Sequence, residues 1–247
     1  MSIGYIIITL GEESRQQLVT TTHRLAKEAG LIEVPCVEFV DGRTPEKLNA
    51  ALALSEFKIN SDGGFHNGEV GLWLSTINAL KAIASGEHEY VVVFDDDAVI
   101  LPSFETMLPW VLRELPADAD FFAVAVPENQ RQDYYYHRAF TENGSWFLIS
   151  QDRHPKEGSP HYIPGNSLVC KVYQGYRTVA TMYSKSGAQR ILDILERTGL
   201  YTPIDLFLFE NHHANLLNGY TFLPDVTDAV THKETGSTVR GTGMLND

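Results

Sequence analysis

The sequence predicts an α/β fold, a single domain built on a mostly parallel, twisted sheet flanked by helices. Short apolar runs alternate with amphipathic segments through the first half, in the order β-α-β-α-α-β-α-β expected of a doubly wound sheet. The chain has 247 residues of which 43% are hydrophobic, enough for one normal core. No repeat, low-complexity stretch or linker divides it, so residues 1–247 read as one unit. Within it, about 1–126 form the regular first part, about 127–166 an irregular insertion and about 167–247 a C-terminal part.

The first strand is "IGYIIITL", followed by the helical "SRQQLVTTTHRLAKEAG", with Ser14 as the expected N-cap and Gly30 as the stop. "VPCVEFV" reads as a second strand ending in "DGR". Thr44 and Pro45 then open a helix as cap and first position. After a Gly-rich loop, "EVGLWLSTINALKAIASG" places Val70, Leu74, Ile77, Leu80 and Ile83 at helical spacing. The strand "YVVVFDDDAVIL" leads into the helical "PSFETMLPWVLREL" and the strand "DFFAVAV". In the insertion, "DYYYHRAF" and "SWFLIS" are candidate hairpin strands. "TVATMYS" is a further strand, "KSGAQRILDILERTG" a helix, "PIDLFLFENHHANLLNG" another segment, and strand pieces precede a Gly/Thr-rich tail.

The formal net charge of −13 argues against a phosphate-polymer or anionic-lipid partner, for which a basic stripe is the usual footprint. No stretch reaches the roughly 18 apolar residues of a membrane span. The N-terminus lacks a basic leader. Cys36 and Cys170 are the only cysteines, so no disulfide framework is implied and a cytoplasmic location is expected.

The chemistry centres on Asp95, Asp96 and Asp97, three adjacent carboxylates at the end of an apolar strand. Their mutual repulsion and desolvation call for a cation, and the carboxyl edge of an open α/β sheet is where ligands bind. In one reading, Asp95 and Asp97 form a D-x-D pair holding Mn²⁺ or Mg²⁺ against a nucleotide-sugar diphosphate. In another, "FDDDAV" is the nucleophile motif of a haloacid-dehalogenase-type phosphatase, although that motif normally closes the first strand of its fold.

"GEVGLWLSTINALKAI" followed by "YVVVFDDDAVIL" resembles glycosyltransferase family 25, which includes lipooligosaccharide and collagen galactosyltransferases. That family carries a G-E-x-G-x-x-L-S-H-type helix and then a strand ending in E-D-D-A. Gly68, Glu69, Gly71, Leu74 and Ser75 match, with Thr76 where the histidine is usual; Asp95 replaces the glutamate, and Asp96, Asp97 and Ala98 match. "ATMYSKSGAQRIL", "TPIDLFL", "IITLGEESRQQL" and "FVDGR" resemble its other blocks, in the right order. The match fails across 127–166.

The resemblance implies a GT-A-type fold and inverting transfer of a hexose from a nucleotide-diphosphate sugar, UDP-sugar favoured, with Mn²⁺ or Mg²⁺. Thr9, Leu10, Arg15, Asp41, Ser75 and Asp96 would meet the donor, Asp41 near base or ribose and Asp96 at the ribose. Asp97 and Asp95 would hold the metal, with His232 completing its shell. Asp205 is the candidate general base and Glu210 the reserve. Tyr134, Tyr135 and Tyr136 are candidate acceptor contacts, and Lys233 and Arg240 sit in a tail able to close over the diphosphate. The acceptor is a glycan, a protein or a modified DNA base as in a phage-type enzyme. A non-catalytic nucleotide-sugar binding module is the remaining alternative.

Overall fold

The computed structural model describes residues 2–35, 37–59, 65–125, 136–140, 146–150, 163, 165–166, 168–172, 179–222 and 229–232. Strand β1 (Ile3–Ile8) runs into a short 3-10 turn (Glu13–Arg15) and helix α1 (Gln16–Glu28). β2 (Ile32–Glu33), α2 (Pro45–Leu54), α3 (Asn67–Ser85) and β3 (Tyr90–Asp95) follow. Next come β4 (Ala98–Ile100), α4 (Ser103–Glu114), β5 (Phe121–Ala123), β6 (Tyr136–Phe140) and β7 (Trp146–Ser150). β8 (Val169–Lys171), β9 (Ala180–Ser184), α5 (Lys185–Thr198), α6 (Ile204–His213), β10 (Gly219–Phe222) and β11 (Val230–His232) complete the described elements.

Seven strands form the main sheet in the order β2-β1-β3-β9-β5-β10-β8. β2, β1, β3, β5 and β10 share one direction, while β9 and β8 run antiparallel to their neighbours. The sheet is therefore mostly parallel, as the sequence predicts. Alternation along the strands sends Ile6, Ile8, Val91 and Val93 into a core with α3, α5 and α6. It sends Ile3, Tyr5, Ile7, Val92 and Phe94 into a second core with α1 and α4. Both faces are covered, so β1 and β3 read as continuous apolar runs. Two small antiparallel pairs stand apart, β4 with β11 and the predicted hairpin β6 with β7.

The helix punctuation follows local chemistry. Gly30, at φ 80°, ends α1 in a Schellman arrangement, with Gly30 N–H bonded to Lys27 O and Leu31 N–H to Ala26 O, both 3.0 Å. Ser14 is not the cap of α1, because the 3-10 turn takes it up and Arg15 stands at the cap position. The second strand is also displaced: β2 is Ile32–Glu33, ahead of the 34–40 segment expected to form it. β2 pairs with β1 only at Gly4 and Tyr5, and Val40 N–H instead bonds Ser75 Oγ of α3 at 2.9 Å. Asn78 Nδ2 likewise donates to Glu38 O at 2.9 Å. Helix α3 captures the segment the sheet was expected to take.

Asp120 ties together the far end of the sheet. Its buried carboxylate accepts from Asn218 N–H at 2.7 Å and Arg190 Nη1 at 2.8 Å, and Ser184 N–H donates to its carbonyl. Burial pushes the Asp120 carboxyl above its ordinary 3.8 despite these donors. Its charged form is thus less welcome in the folded than in the unfolded chain, and its contribution falls as pH rises through that window. Asp120→Asn removes the titration, so urea unfolding is expected to give a larger loss of stability at pH 4 than at pH 7.

Candidate functional site

The site begins where β1 and β3 end side by side, with Ile8 opposite Asp95 in parallel register. Beyond Ile8, Gly11 at φ 72° turns the chain, and its N–H donates to Thr9 Oγ1 at 3.1 Å. That turn delivers Glu12 and Arg15 to the aspartates. Arg15 is only 5% exposed, and its Nη1 donates to Asp96 and lies 3.7 Å from Asp97 Oδ2. Its Nε lies 3.8 Å from Glu12 Oε2. Thr22 of α1 fastens the far side of the turn by donating to Ala98 O at 3.0 Å.

Three carboxylates around one guanidinium leave an excess of negative charge. Burial and the charges of Asp97 and Asp96 push the Asp95 carboxyl well above the ordinary range, against the pull of Arg15. Burial raises Asp96 as well, opposed by its hydrogen bond from Arg15. Strand alternation carries Asp95 to the Val91/Val93 face, and the charge of Asp205, at the start of α6, is felt there. Glu210, the reserve base, acts instead on Tyr201. Of the two candidate bases, Asp205 is the one whose charge is felt at Asp95.

Helix α3 explains much of the "GEVGLWLS" segment. Glu69 closes a capping box by accepting from His66 N–H at 2.9 Å. At Gly71 a Cβ would lie 2.6 Å from Gly42 N and 2.8 Å from Val40 O, so only glycine lets the 40–42 loop approach. Ser75 is buried and spends its hydroxyl internally, donating to Gly71 O at 2.8 Å and accepting from Val40 N–H. Its hydroxyl thereby positions the loop that bears Asp41. Two residues earlier, Trp73 Nε1 donates to Thr202 O at 2.8 Å, and its ring meets Phe207 edge-on at 5.1 Å. One helix therefore sets both the loop bearing Asp41 and the start of α6 bearing Asp205.

Asp41 is also engaged. Arg43 donates to its two oxygens from Nε at 2.9 Å and Nη2 at 3.0 Å, and holds its carboxyl below the usual range. Arg43 Nη1 in turn donates to Glu12. Neither Arg43 nor Glu12 was marked by the sequence patterns, although "FVDGR" and "LGEES" contain them. Leu10 is half-buried in the turn after β1. The β4–β11 register sets His232 opposite Ala98, the residue after Asp97. Tyr136 opens β6, paired with Ser150; Tyr134, Tyr135, Lys233 and Arg240 lie outside the described residues.

A divalent ion fits this donor set. The carboxylates of Asp95 and Asp97 accept no hydrogen bond from a described residue other than the contact of Asp97 with Arg15, and their oxygens are hard ligands. Among the described residues no group of three or more His, Cys, Asp or Glu side chains is placed to hold a metal ion, so an ion on Asp95 and Asp97 would take the rest of its shell from phosphate oxygens and water.

No family model and no curated protein matches the chain. Among solved structures it is similar to a glycosyltransferase involved in glycosylating the major capsid of PBCV-1, at 9% identity, TM-score 0.45, covering 96% of this chain and 95% of that one. It is similar to a Drosophila β1,4-galactosyltransferase 7 mutant in complex with manganese, UDP-Gal and xylobiose, at 11% identity, TM-score 0.39, covering 94% and 70%. The third is A197 from STIV, at 9% identity and TM-score 0.40, covering 93% and 83%. At these scores the likeness assigns neither activity nor ligand to this chain. Among the described residues no helix is long and apolar enough to cross a membrane.

Proposed function

We propose that the chain is a metal-dependent, inverting glycosyltransferase of GT-A type that takes a hexose from a nucleotide-diphosphate sugar, with UDP-sugars favoured. The observation that carries this reading is the convergence of Arg15 and three aspartates at the paired ends of β1 and β3, where the charge of Asp205 is also felt. Asp97 and Asp95 would hold Mn²⁺ or Mg²⁺, with His232 beside them on β11. A divalent ion there neutralises charge on the departing diphosphate. Arg15, fixed by Glu12 and Asp96, places a buried cation where the diphosphate lies. Asp205 takes the proton of the acceptor hydroxyl. The ordered motif blocks of glycosyltransferase family 25 support the same reading, with a glycan, protein or modified base as acceptor. The phosphatase motif normally closes the first strand of its fold, whereas here the aspartates close β3, which counts against a phosphatase.

A thermal-shift screen of nucleoside diphosphates and their sugars, with and without Mn²⁺, tests this. A ligand present at about 100 times its Kd is expected to raise the melting temperature by roughly 5–10 °C, with the ion and nucleotide acting together. If no nucleoside diphosphate shifts melting with either ion, the reading is wrong.

A further inference from the structure

Arg43 stands apart from the donor contacts expected of the sequence. Its Nε and Nη2 grip the two oxygens of Asp41, its backbone N–H adds a 3.0 Å bond to Asp41 Oδ1, and Nη1 reaches Glu12. Two carboxylates thus clamp the guanidinium along its edges and fix its plane. The side chain is still 37% exposed. Among the described residues, cation–ring contacts belong to Lys81 over Phe57 and Arg113 over Trp110, and no ring covers Arg43. A planar cation with engaged edges and an open face offers stacking.

Its place along the site gives that face a partner. Glu12 is shared, with Arg43 on Oε1 and Arg15 near Oε2, and Arg15 continues to Asp96 and Asp97. Cations and carboxylates therefore alternate from the aspartate turn to the 41–43 loop, which close packing of Gly42 on α3 holds in place. A nucleoside diphosphate laid along this line, phosphates at the turn, ends in its base at Arg43.

We infer that the open face of the Arg43 guanidinium is the stacking platform for the nucleobase of the donor, with Asp41 and Glu12 as the clamps that hold it flat. The inference rests on the nucleotide-sugar reading above. It also reassigns Asp41, which serves the base through Arg43 instead of bonding it directly.

The test compares binding of UDP and of inorganic pyrophosphate to the full chain in Mn²⁺, by calorimetry. Arg43→Lys keeps the charge and loses the plane, so UDP affinity is expected to fall about tenfold while pyrophosphate affinity is unchanged. Arg43→Trp keeps a flat face without charge and is expected to hold UDP within about threefold of the original chain. The lysine variant, an exposed like-charge change, decides the matter if the tryptophan variant does not fold. UDP binding that survives Arg43→Lys overturns the proposal, as does an equal loss for UDP and pyrophosphate. An original chain that binds no nucleoside diphosphate overturns the nucleotide reading itself, a separate result.

Discussion

Asp97→Asn is expected to remove Mn²⁺-dependent turnover, a loss of about 10²–10³-fold or more, while leaving the melting temperature of the ligand-free protein nearly unchanged. The side chain is 25% exposed, and its described contact is Arg15 at 3.7 Å, so the isosteric amide disturbs little packing. What it removes is one negative oxygen ligand. Asp96 is already engaged by Arg15, and Asp95 alone would leave the ion with a single aspartate of the pair. Excess chelator should reproduce the loss in the original chain. Full activity in the variant, or in chelator, would remove the metal from the mechanism.

Asp205→Ala is expected to part binding from transfer. Donor and ion should bind as before, and transfer should fall by about 10²–10⁴-fold, the usual contribution of a positioned general base. Asp205 sits at the start of α6, where Leu206 N–H donates to its Oδ1 at 2.9 Å and its charge is felt at Asp95. Glu210→Gln is the internal comparison. The charge of Glu210 is felt at Tyr201, and with Asp205 as the base its change should leave transfer close to normal. Unimpaired transfer by Asp205→Ala would place the base elsewhere.

The strands and helices of the first half were legible because both faces of the sheet are covered. Continuous apolar runs mark β1 and β3, and helical spacing marks α3. The segment 34–40 was misread because an apolar run does not disclose its partner. Here side-chain hydroxyl and amide groups of α3 satisfy the backbone of Val40 and Glu38 that a strand would have given to β1. The reversal of β9 between β3 and β5 was likewise invisible, since strand order depends on long crossovers. The motifs singled out the aspartates and Arg15, which the fold brings into contact. The hydrogen bonds of Ser75 and Asp41 were not legible, because a motif residue serves equally well by touching a ligand or by holding what touches it. Pairings such as Asp41 with Arg43, or Arg43 with Glu12 across 31 positions, become visible only in three dimensions.

Trp73 and Ser75, two residues apart on one rigid helix, fix the two banks of the cleft. One side of α3 anchors the strip bearing Arg43, and the other anchors the base. Residues two apart on a helix project about 200° from one another, so the two anchors grip opposite sides of α3. A tilt of α3 would therefore move the loop bearing Arg43 and the start of α6 together.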